Sequence, residues 1–432
     1  MKTEGPRWLD GFKEVLSLGG KLKKQMTVRG TLATAFATAG LMASFAVPAV
    51  AAAKKVTLDT ILANDTKISA NATVSASGAT FDTPFFNAAF PVYSARNSKA
   101  TVNAYGAGGS GAGQAAIMQN LVNFGASDVP MTAADIAAKS YSTKGTLADY
   151  IQVPVALGGV AIAFHNTSIT GNKLYAKNHF NVTSTIIAKI YTGAITKWND
   201  AAICAANPKW VVTVKGKKSC ALPSANIIVN GRSDSSGTTY IFTDYLHAAE
   251  PTIFTASASK SSLVTGSNGF VGGSGNQGVA TNLENTNNSI GYVEYSYVLL
   301  NRSLDSAFVV NKSGVAVDVT PASIAAAAAT KPTVSSTDFS IVNPLGKTAY
   351  PISGYSWVML RKNQTDAASS LAQAELTVKL VDWLAHNAPG TGVTLGQDVA
   401  VSQGYVALPT QAQTVTRNAL KTVTYNGAVV LK

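Results

Sequence analysis

Cysteine, histidine and charge are all scarce in this sequence. Its 432 residues include two cysteines and four histidines, and 13% of them are charged, about half the fraction expected of an average soluble domain. The histidines, at positions 165, 179, 247 and 386, are far apart and show no spacing typical of metal ligands. We therefore expect no metal and no cofactor. Hydrophobic residues still make up 46% of the chain, which excludes a disordered protein.

Long apolar runs are equally scarce, and the one that occurs lies near the amino terminus. Residues Thr31 to Val50 follow a basic segment and lead into small residues that end at Ala53, which is the pattern of a signal peptide. We expect residues 1–53 to be removed, with Met26 as an alternative start and an uncleaved anchor as the alternative reading. No second run of about 20 apolar residues follows. Neither cysteine lies next to the run, so no lipid-anchor cysteine is present, and we expect the protein in the periplasm or outside the cell.

The net charge of +12 could suggest a nucleic-acid partner. Removal of residues 1–53 leaves 27 basic and 19 acidic residues, a net charge of +8. The remaining basic residues are scattered, with the densest cluster at Lys215-Gly-Lys217-Lys218, and they form no stripe typical of a nucleic-acid groove. We expect no nucleic-acid partner, because a modest positive charge suits a small anionic ligand equally well.

The two cysteines, Cys204 and Cys220, both lie in the part expected to be exported, sixteen positions apart. In an oxidising compartment this pair predicts a single disulfide that closes the loop between them.

The order of elements indicates the fold class. The length is economical for two domains. Strand-like and helix-like stretches alternate along the exported part, which is typical of an α/β protein with mostly parallel sheets flanked by helices.

Three glycine- and hydroxyl-rich turns each precede a predicted helix. Free backbone N–H groups at a helix start attract anions. The turns are Ser77–Asp82, where Thr80 can cap the helix, Gly106–Gly113, which contains Ser110, and Gly231–Thr238, which contains Arg232. Such turns are usually just turns, but three in one chain indicate an anion site.

A carboxylate lies close to these turns in sequence. Asp128 directly follows the predicted strand at Val122–Ala126, and its ordinary role would be that of a turn residue or helix cap. Inside an anion site, it would accept a hydrogen bond from a protonated anion. Phosphate carries a hydrogen at neutral pH and sulfate does not, so a buried carboxylate would favour phosphate.

The order and spacing of nine motifs point to a known family. The motifs are Gly78–Phe81, Ser110–Gly113, Phe124–Asp128, Gly158–Val160, Thr196–Asp200, Arg232–Thr238, Gly272–Asn276, Ile290–Tyr295 and Tyr350–Ser353. With them, the chain resembles the phosphate-binding proteins of bacterial high-affinity phosphate ABC transporters, the PstS type, over nearly all of its exported length. The chain departs from the family in two places. The glycine loop before Ser110 is one residue longer than in some relatives, and the segment Cys204–Cys220 is longer than expected and looks like an inserted, disulfide-closed surface loop.

The resemblance implies a two-lobed periplasmic-binding-protein fold of type II, with the ligand in the cleft between the lobes. Residues 54–164 and 350–432 would form lobe I, and residues 165–349 lobe II. The protein would capture inorganic phosphate as a monomer and deliver it to the permease subunits of an ABC transporter.

The resemblance also implies a role for each matching residue. Asp128 would accept the phosphate hydrogen, Arg232 would supply the positive charge, and Asp234 would orient Arg232. The remaining donors to phosphate would be Thr80, Phe81, Ser110, Ser236, Gly237 and Thr238.

Other functions find less support in the sequence. Gly108–Ala112 approaches the nucleophile elbow of a hydrolase but ends in alanine, and no histidine is tied to it by a local signal. Gly346–Thr348 lacks the earlier glycine of an NTPase phosphate loop, because Ile341 stands in its place. We therefore expect no enzyme. A binding protein of the same fold for another oxyanion, or a secreted surface or signalling protein that retains phosphate binding, stays open as the alternative.

Overall fold

The computed structural model describes residues 68–175, 178–261, 270–387 and 393–431. These residues belong to one unit of the fold, Val56–Lys432. The predicted signal peptide, residues 1–53, lies outside the described residues. Within the described ranges, every helix is too short or too polar to cross a bilayer.

Strands and helices alternate along the chain. The strands are β1 (Ala72–Val74), β2 (Ala76–Gly78), β3 (Ala100–Val102), β4 (Phe124–Ser127), β5 (Tyr150–His165), β6 (Asn181–Thr183), β7 (Val211–Val214), β8 (Lys217–Cys220), β9 (Ile228–Arg232), β10 (Val271–Gly273), β11 (Ser289–Glu294), β12 (Asp305–Ser306), β13 (Phe308–Val310), β14 (Ala316–Val317), β15 (Ser353–Arg361), β16 (Thr424–Tyr425) and β17 (Ala428–Val429). The α-helices are α1 (Thr83–Arg96), α2 (Ser110–Met118), α3 (Ala133–Ala137), α4 (Thr167–Thr170), α5 (Ser184–Tyr191), α6 (Ala201–Ala206), α7 (Gly237–Ala249), α8 (Gly275–Glu284), α9 (Tyr295–Leu299), α10 (Pro321–Ala328), α11 (Leu371–Leu384), α12 (Gly396–Ser402) and α13 (Thr410–Leu420). Short 3₁₀ turns lie at Thr80–Asp82, Leu147–Asp149 and Pro208–Trp210.

An eight-stranded sheet runs through the protein in the order β10-β9-β11-β5-β15-β4-β2, with β12 also paired to β5. Strand β5 has 16 residues, almost all buried, and it changes partner along its length. Its first part pairs with β15 up to Gly159, and its last part pairs with β11 from Val160 onward. The two halves of the sheet therefore share β5, a few residues before the predicted lobe crossing near residue 164.

The predicted α/β class is confirmed, but the expectation of mostly parallel sheets is wrong. Among the described residues, four of the seven strand pairs in the eight-stranded sheet are antiparallel, because β5 and β15 pair with their neighbours without a helical crossover. The pairs β2–β4, β9–β10 and β9–β11 are parallel, as expected where a helix connects two strands. The long strands β5 and β15 pair antiparallel with each other, and with β11 and β4 respectively. The parallel pairs place the carboxyl ends of β2, β4, β9 and β10 next to the starts of helices.

Two helices illustrate how well local signals locate element ends. Apolar residues at helical spacing predict a helix at 368–387, and it forms as α11, where the Ser370 hydroxyl accepts a hydrogen bond from the Gln373 backbone N–H and most side chains are buried. The run at 323–330 predicts a short helix with Ser323 as a possible cap, but Thr320 caps α10, and Ser323 is the third helical residue, which completes a capping box. A hydroxyl at both positions made the assignment ambiguous.

The predicted disulfide between Cys204 and Cys220 is present, with a Cα–Cα distance of 6.0 Å. It joins α6 to the hairpin of β7 and β8, in which Val211 pairs with Cys220. Lysines 215, 217 and 218 are exposed at the tip of this hairpin, so the loop lies on the surface, as predicted.

Candidate functional site

Polar residues that follow four strands lie together in one buried cluster. Strand β2 is followed by the 3₁₀ turn at Thr80–Asp82, β4 by Asp128, β9 by the turn before α7, and β10 by the turn before α8. Helix α2 starts beside them at Ser110. The strands end and the helices begin at this cluster. Backbone N–H groups and hydroxyls from distant parts of the chain therefore face one another here.

Ser110 connects two of the predicted segments. Its Oγ accepts hydrogen bonds from the backbone N–H of Asp128, at 3.2 Å, and of Gly237, at 3.0 Å. Ser110 is 1% exposed, so both contacts lie in the interior. The longer glycine loop therefore still places Ser110 at the site.

Asp128 lies at the centre of the same cluster. Its Oδ2 accepts a hydrogen bond from the Thr238 hydroxyl at 3.2 Å, and its Oδ1 accepts one from the Ser356 hydroxyl at 3.0 Å. Burial raises the pKa of Asp128 to about 7, although the donated hydrogen bond from Ser356 and the charge of Arg232 oppose the rise. The carboxyl group therefore changes charge near neutral pH.

Arg232 supplies the positive charge of the cluster and is 1% exposed. Its Nε donates to Asp234 Oδ1 at 2.7 Å, and its Nη2 contacts Asp234 Oδ2. Burial alone would raise the pKa of Asp234, but the hydrogen bond and charge of Arg232 outweigh it and hold the pKa below its ordinary value. The bidentate contact fixes the guanidinium plane, and Nη1 points toward the Thr238 hydroxyl at 3.4 Å.

The glycine loop approaches this ion pair closely. Gly109 has a φ of +90°, and a Cβ there would lie 2.4 Å from Asp234 Oδ2. The backbone N–H of Gly111 donates to the Ser235 carbonyl at 3.1 Å. Only glycine combines this conformation with this approach, so the loop and the Arg232 turn fit against each other.

Thr80 contacts Asn276, the last residue of the motif Gly272–Asn276, to which no role in binding was assigned. Its Oγ1 accepts hydrogen bonds from the backbone N–H and the side-chain Nδ2 of Asn276, at 2.9 and 3.1 Å. The prediction that Thr80 caps a helix is wrong, because Ala79 and Asp82 occupy the cap positions of the 3₁₀ turn and of α1. Asn276 Nδ2 also donates to the Thr238 hydroxyl at 3.1 Å, which ties the first turn to the third.

Phe81 and Ser236 flank the cluster. Phe81 is fully buried, and its carbonyl accepts a hydrogen bond from the Tyr405 hydroxyl. The Ser236 hydroxyl accepts a hydrogen bond from the Thr239 backbone N–H at 3.0 Å and so caps α7. The backbone N–H of Gly237, the first residue of this capped helix, donates to Ser110.

Two further carboxyl groups, to which the sequence assigned no role, lie near the cluster. Asp82 and Glu294 are both fully buried. Burial, and then the charge of Asp128, raise the pKa of Asp82 well above its ordinary value. Burial raises the pKa of Glu294 to about 8, against the hydrogen bonds that Ser296 donates to it.

Of these residues, Asn276 had a signal in the sequence, since it ends the glycine-rich motif Gly272–Asn276 and is the second residue of α8. Asp82 ends the first turn but carries no spacing signal. Ser356 lies inside the buried strand β15, where nothing in the sequence marks it.

The arrangement can hold a small anion. It combines a buried guanidinium, hydroxyls and backbone N–H groups with one carboxylate that can accept a hydrogen. A cavity of about 950 Å³ adjoins the cluster and is lined by Thr80, Gly275 and Tyr297 among others. Among the described residues, Thr80 is the one predicted site residue that lines this cavity.

Comparison with known proteins agrees with the geometry. Residues 63–387 match the model of the PBP superfamily domain. The chain is 33% identical over 344 residues to the phosphate-binding protein PstS of Xylella fastidiosa, which covers 78% of this chain and 81% of that protein. It is 29% identical over 353 residues to the phosphate-binding protein PstS of Haemophilus influenzae, with 81% and 92% covered.

A solved structure gives the same fold. The crystal structure of a phosphate-binding protein from Stenotrophomonas maltophilia matches with a TM-score of 0.55 and 19% identity, over 83% of this chain and 96% of that one. At this identity the likeness shows the fold alone.

Proposed function

The chain belongs to the PstS family within the PBP superfamily, and we propose that it captures inorganic phosphate between two lobes and delivers it to an ABC permease for import. Its relatives are named as binding proteins, and the proposal is that this chain also binds without catalysis. Lobe I would comprise residues 54–164 and 350–432, and lobe II residues 165–349.

One observation carries the proposal: a buried carboxylate and a buried guanidinium share the Thr238 hydroxyl. Thr238 Oγ1 donates to Asp128 at 3.2 Å and lies 3.4 Å from Arg232 Nη1. A site built only for negative charge would exclude the carboxylate, because two desolvated negative groups repel each other at a cost of several kcal/mol. Monohydrogen phosphate can bind to both groups, accepting hydrogen bonds from Arg232 and donating its own hydrogen to Asp128.

Contacts between residues of the two proposed lobes support a closing motion. Ser110 meets Gly237 and Thr80 meets Asn276 across the predicted lobes. In the bound form, phosphate oxygens would accept hydrogen bonds from these same N–H and hydroxyl groups. A ligand that contacts both sides favours the closed state, and the permease would recognise that state.

The location follows from the family and the sequence together. We propose that the chain is exported by its amino-terminal signal, works outside the cytoplasm as a monomer, and has no nucleic-acid partner. Phosphate and the permease subunits would be its partners.

Isothermal titration of the purified protein with phosphate, arsenate and sulfate tests the proposal. We expect saturable binding of phosphate and arsenate and none of sulfate. Arg232→Ala should abolish phosphate binding, and Arg232→Lys should weaken it about a hundredfold, since an ammonium keeps the charge but loses the planar fork. Lys217→Ala, in the disulfide-closed hairpin, is the control and should bind like the wild type. Equal binding of sulfate, or unchanged binding by Arg232→Ala, would refute the assignment.

A phosphomonoester assay separates binding from catalysis. We expect no turnover of a generic phosphomonoester by the purified protein. Turnover that disappears in Arg232→Ala would make this site an active site and overturn the proposal.

A further inference from the structure

Two buried carboxyl groups share one serine hydroxyl beside the proposed phosphate site. Ser356 Oγ lies 2.7 Å from Asp82 Oδ2 and 3.0 Å from Asp128 Oδ1. Asp82 and Ser356 are 0% exposed, and Asp128 is 1% exposed. Ser356 comes from β15, and the two aspartates follow β2 and β4, which are neighbouring strands of the same sheet. The contacts are therefore fixed by the sheet.

This arrangement requires one proton more than the Ser356 hydroxyl and two ionised carboxylates contain. A serine hydroxyl has one hydrogen and can donate to one acceptor at a time. If both carboxylates were ionised, one of the two oxygen–oxygen contacts would have no hydrogen in it, and two negative charges would lie together in the dry interior. One carboxyl group must therefore carry a proton and donate it to Ser356.

The surroundings of the two groups decide which one carries the proton. Asp128 has the Thr238 hydroxyl donating to its second oxygen and the charge of Arg232 close by, and both stabilise an ionised carboxylate. The other oxygen of Asp82, Oδ1, has no hydrogen-bond partner among the residues that the structure describes.

Among the residues that the structure describes, the titratable groups that face Asp82 are acidic or neutral: Asp128, Glu294, Tyr105, Tyr297 and Tyr405. None of them stabilises a negative charge on Asp82 as Arg232 does for Asp128.

We infer that Asp82 is a neutral positioning residue, whose carboxyl donates to Ser356 Oγ so that Ser356 donates its own hydrogen to Asp128 Oδ1. The inference deepens the proposed function and rests on it, since it concerns how Asp128 is kept ready for phosphate. With the proton on Asp82, Asp128 is an ionised acceptor that can take the phosphate hydrogen. With the proton on Asp128, that group would donate to any oxyanion and the preference for phosphate would be lost.

The electrostatics of the pair agree with the geometry. Burial, and then the charge of Asp128, raise the pKa of Asp82 well above its ordinary value. The pKa of Asp128 rises to about 7, against the opposing effects of Ser356 and Arg232. The proton therefore belongs on the carboxyl group that lacks the cation.

Infrared difference spectroscopy of the unliganded protein at pH 7.5 locates the proton directly. A protonated carboxyl group absorbs as a C=O stretch separate from the carboxylate bands, and we expect this absorption to lose one component in Asp82→Asn and keep it in Asp128→Asn. Glu294→Gln identifies the component that belongs to Glu294. A component lost in Asp128→Asn and kept in Asp82→Asn would overturn the inference, as would a component unchanged in both variants.

Phosphate titration then tests what the proton does. Ser356→Ala should weaken binding about tenfold to a hundredfold, because Asp128 loses a donated hydrogen bond to its charge. Asp82→Ala should weaken binding about fivefold or more, because Ser356 loses the donor that orients its hydroxyl, and Asp82→Asn should restore most of the loss, because its amide is a permanent neutral donor. Wild-type affinity in Ser356→Ala, or no restoration in a correctly folded Asp82→Asn, would refute the positioning role. Failure of the wild type to bind phosphate would instead refute the proposed function, and the infrared result would be unaffected.

Discussion

The Ser110 hydroxyl oxygen lies 3.0 Å from the backbone nitrogen of Gly237, although 127 residues separate the two in sequence. This contact joins the start of α2 to the start of α7 and leaves no room for a side chain at position 237. A Cβ on Gly237 would lie 2.5 Å from Asp128 Cβ and 2.6 Å from Ser110 Oγ. The proposed site therefore depends on a close approach of backbone to side chain.

Gly237→Ala should weaken phosphate binding at least tenfold, because the added methyl group pushes Ser110 and Asp128 away from α7. Isothermal titration measures the loss. Gly216→Ala is a control for a glycine substitution away from the site: a Cβ there would meet nothing within 4 Å, and its φ of +77° makes alanine costly for stability but not for binding. Gly216→Ala should bind phosphate normally, and normal binding by Gly237→Ala would contradict the proposed site geometry.

Selectivity against sulfate should weaken as the pH falls. Asp128 has a pKa of about 7, so its protonated fraction grows as the pH drops from 8 to 5. The protonated carboxyl group can donate a hydrogen bond to sulfate, which the ionised group repels. Competition of sulfate with bound phosphate should therefore rise across this range.

The comparison variant for this prediction is Asp128→Asn, whose amide can donate to sulfate at every pH. We expect its affinity for sulfate to be the same at pH 5 and pH 8, whereas that of the wild type should rise as the pH falls. Exclusion of sulfate by the wild type that is equally strong at pH 5 and pH 8 would contradict the prediction.

The local parts of the fold could be predicted from the sequence, because strand–turn–helix units follow from apolar periodicity and glycine-rich turns. The helix predicted at the third glycine-rich turn forms as α7, and the apolar run at 225–230 predicts the strand before it, which forms as β9. Pairing directions could not be predicted in the same way. The antiparallel pairing of β5 with β15 joins segments about 200 residues apart, and no local signal specifies such a contact.

Part of the candidate site could likewise be predicted from local sequence signals, and part could not. Ser110, Asp128, Arg232 and Thr238 lie in turns whose composition marks them, and the structure brings them together. Ser356 lies in an apolar strand, and its role depends on two carboxyl groups from other strands. A residue whose function arises from tertiary neighbours alone leaves no pattern in a single sequence.

The unliganded protein should become less stable as the pH rises from about 5 to 9. Glu294 has an ordinary pKa of 4.5, and burial raises it to about 8 in the folded protein. Between these values the folded state binds more protons than the unfolded state, so the free energy of unfolding falls with rising pH. The full contribution is present below the unfolded pKa and is lost as the pH passes through the folded pKa.

Glu294→Gln isolates this contribution. The amide keeps an acceptor for the Ser296 backbone N–H, which Glu294 accepts at 3.0 Å, and it does not ionise. At pH 9 we expect the free energy of unfolding of the variant to exceed that of the wild type by on the order of a few kcal/mol. The variant should therefore melt at a higher temperature than the wild type at this pH. At pH 5 the two should melt within a few degrees of each other. A parallel pH dependence in both proteins would mean that Glu294 is not the titrating group.

The disulfide should stabilise the fold without contributing to phosphate binding. Cys204 and Cys220 are 16 residues apart, and closing a loop of that length limits the unfolded ensemble by about 3 kcal/mol. Replacing both residues by serine should lower the melting temperature by several degrees, measured by calorimetry of the unliganded protein. The phosphate affinity of the variant should match that of the wild type, because α6 and the β7–β8 hairpin supply none of the residues in the proposed site. Equal melting temperatures would mean that the β7–β8 pairing holds the loop without the bond, whereas a loss of affinity would place the hairpin in the binding mechanism.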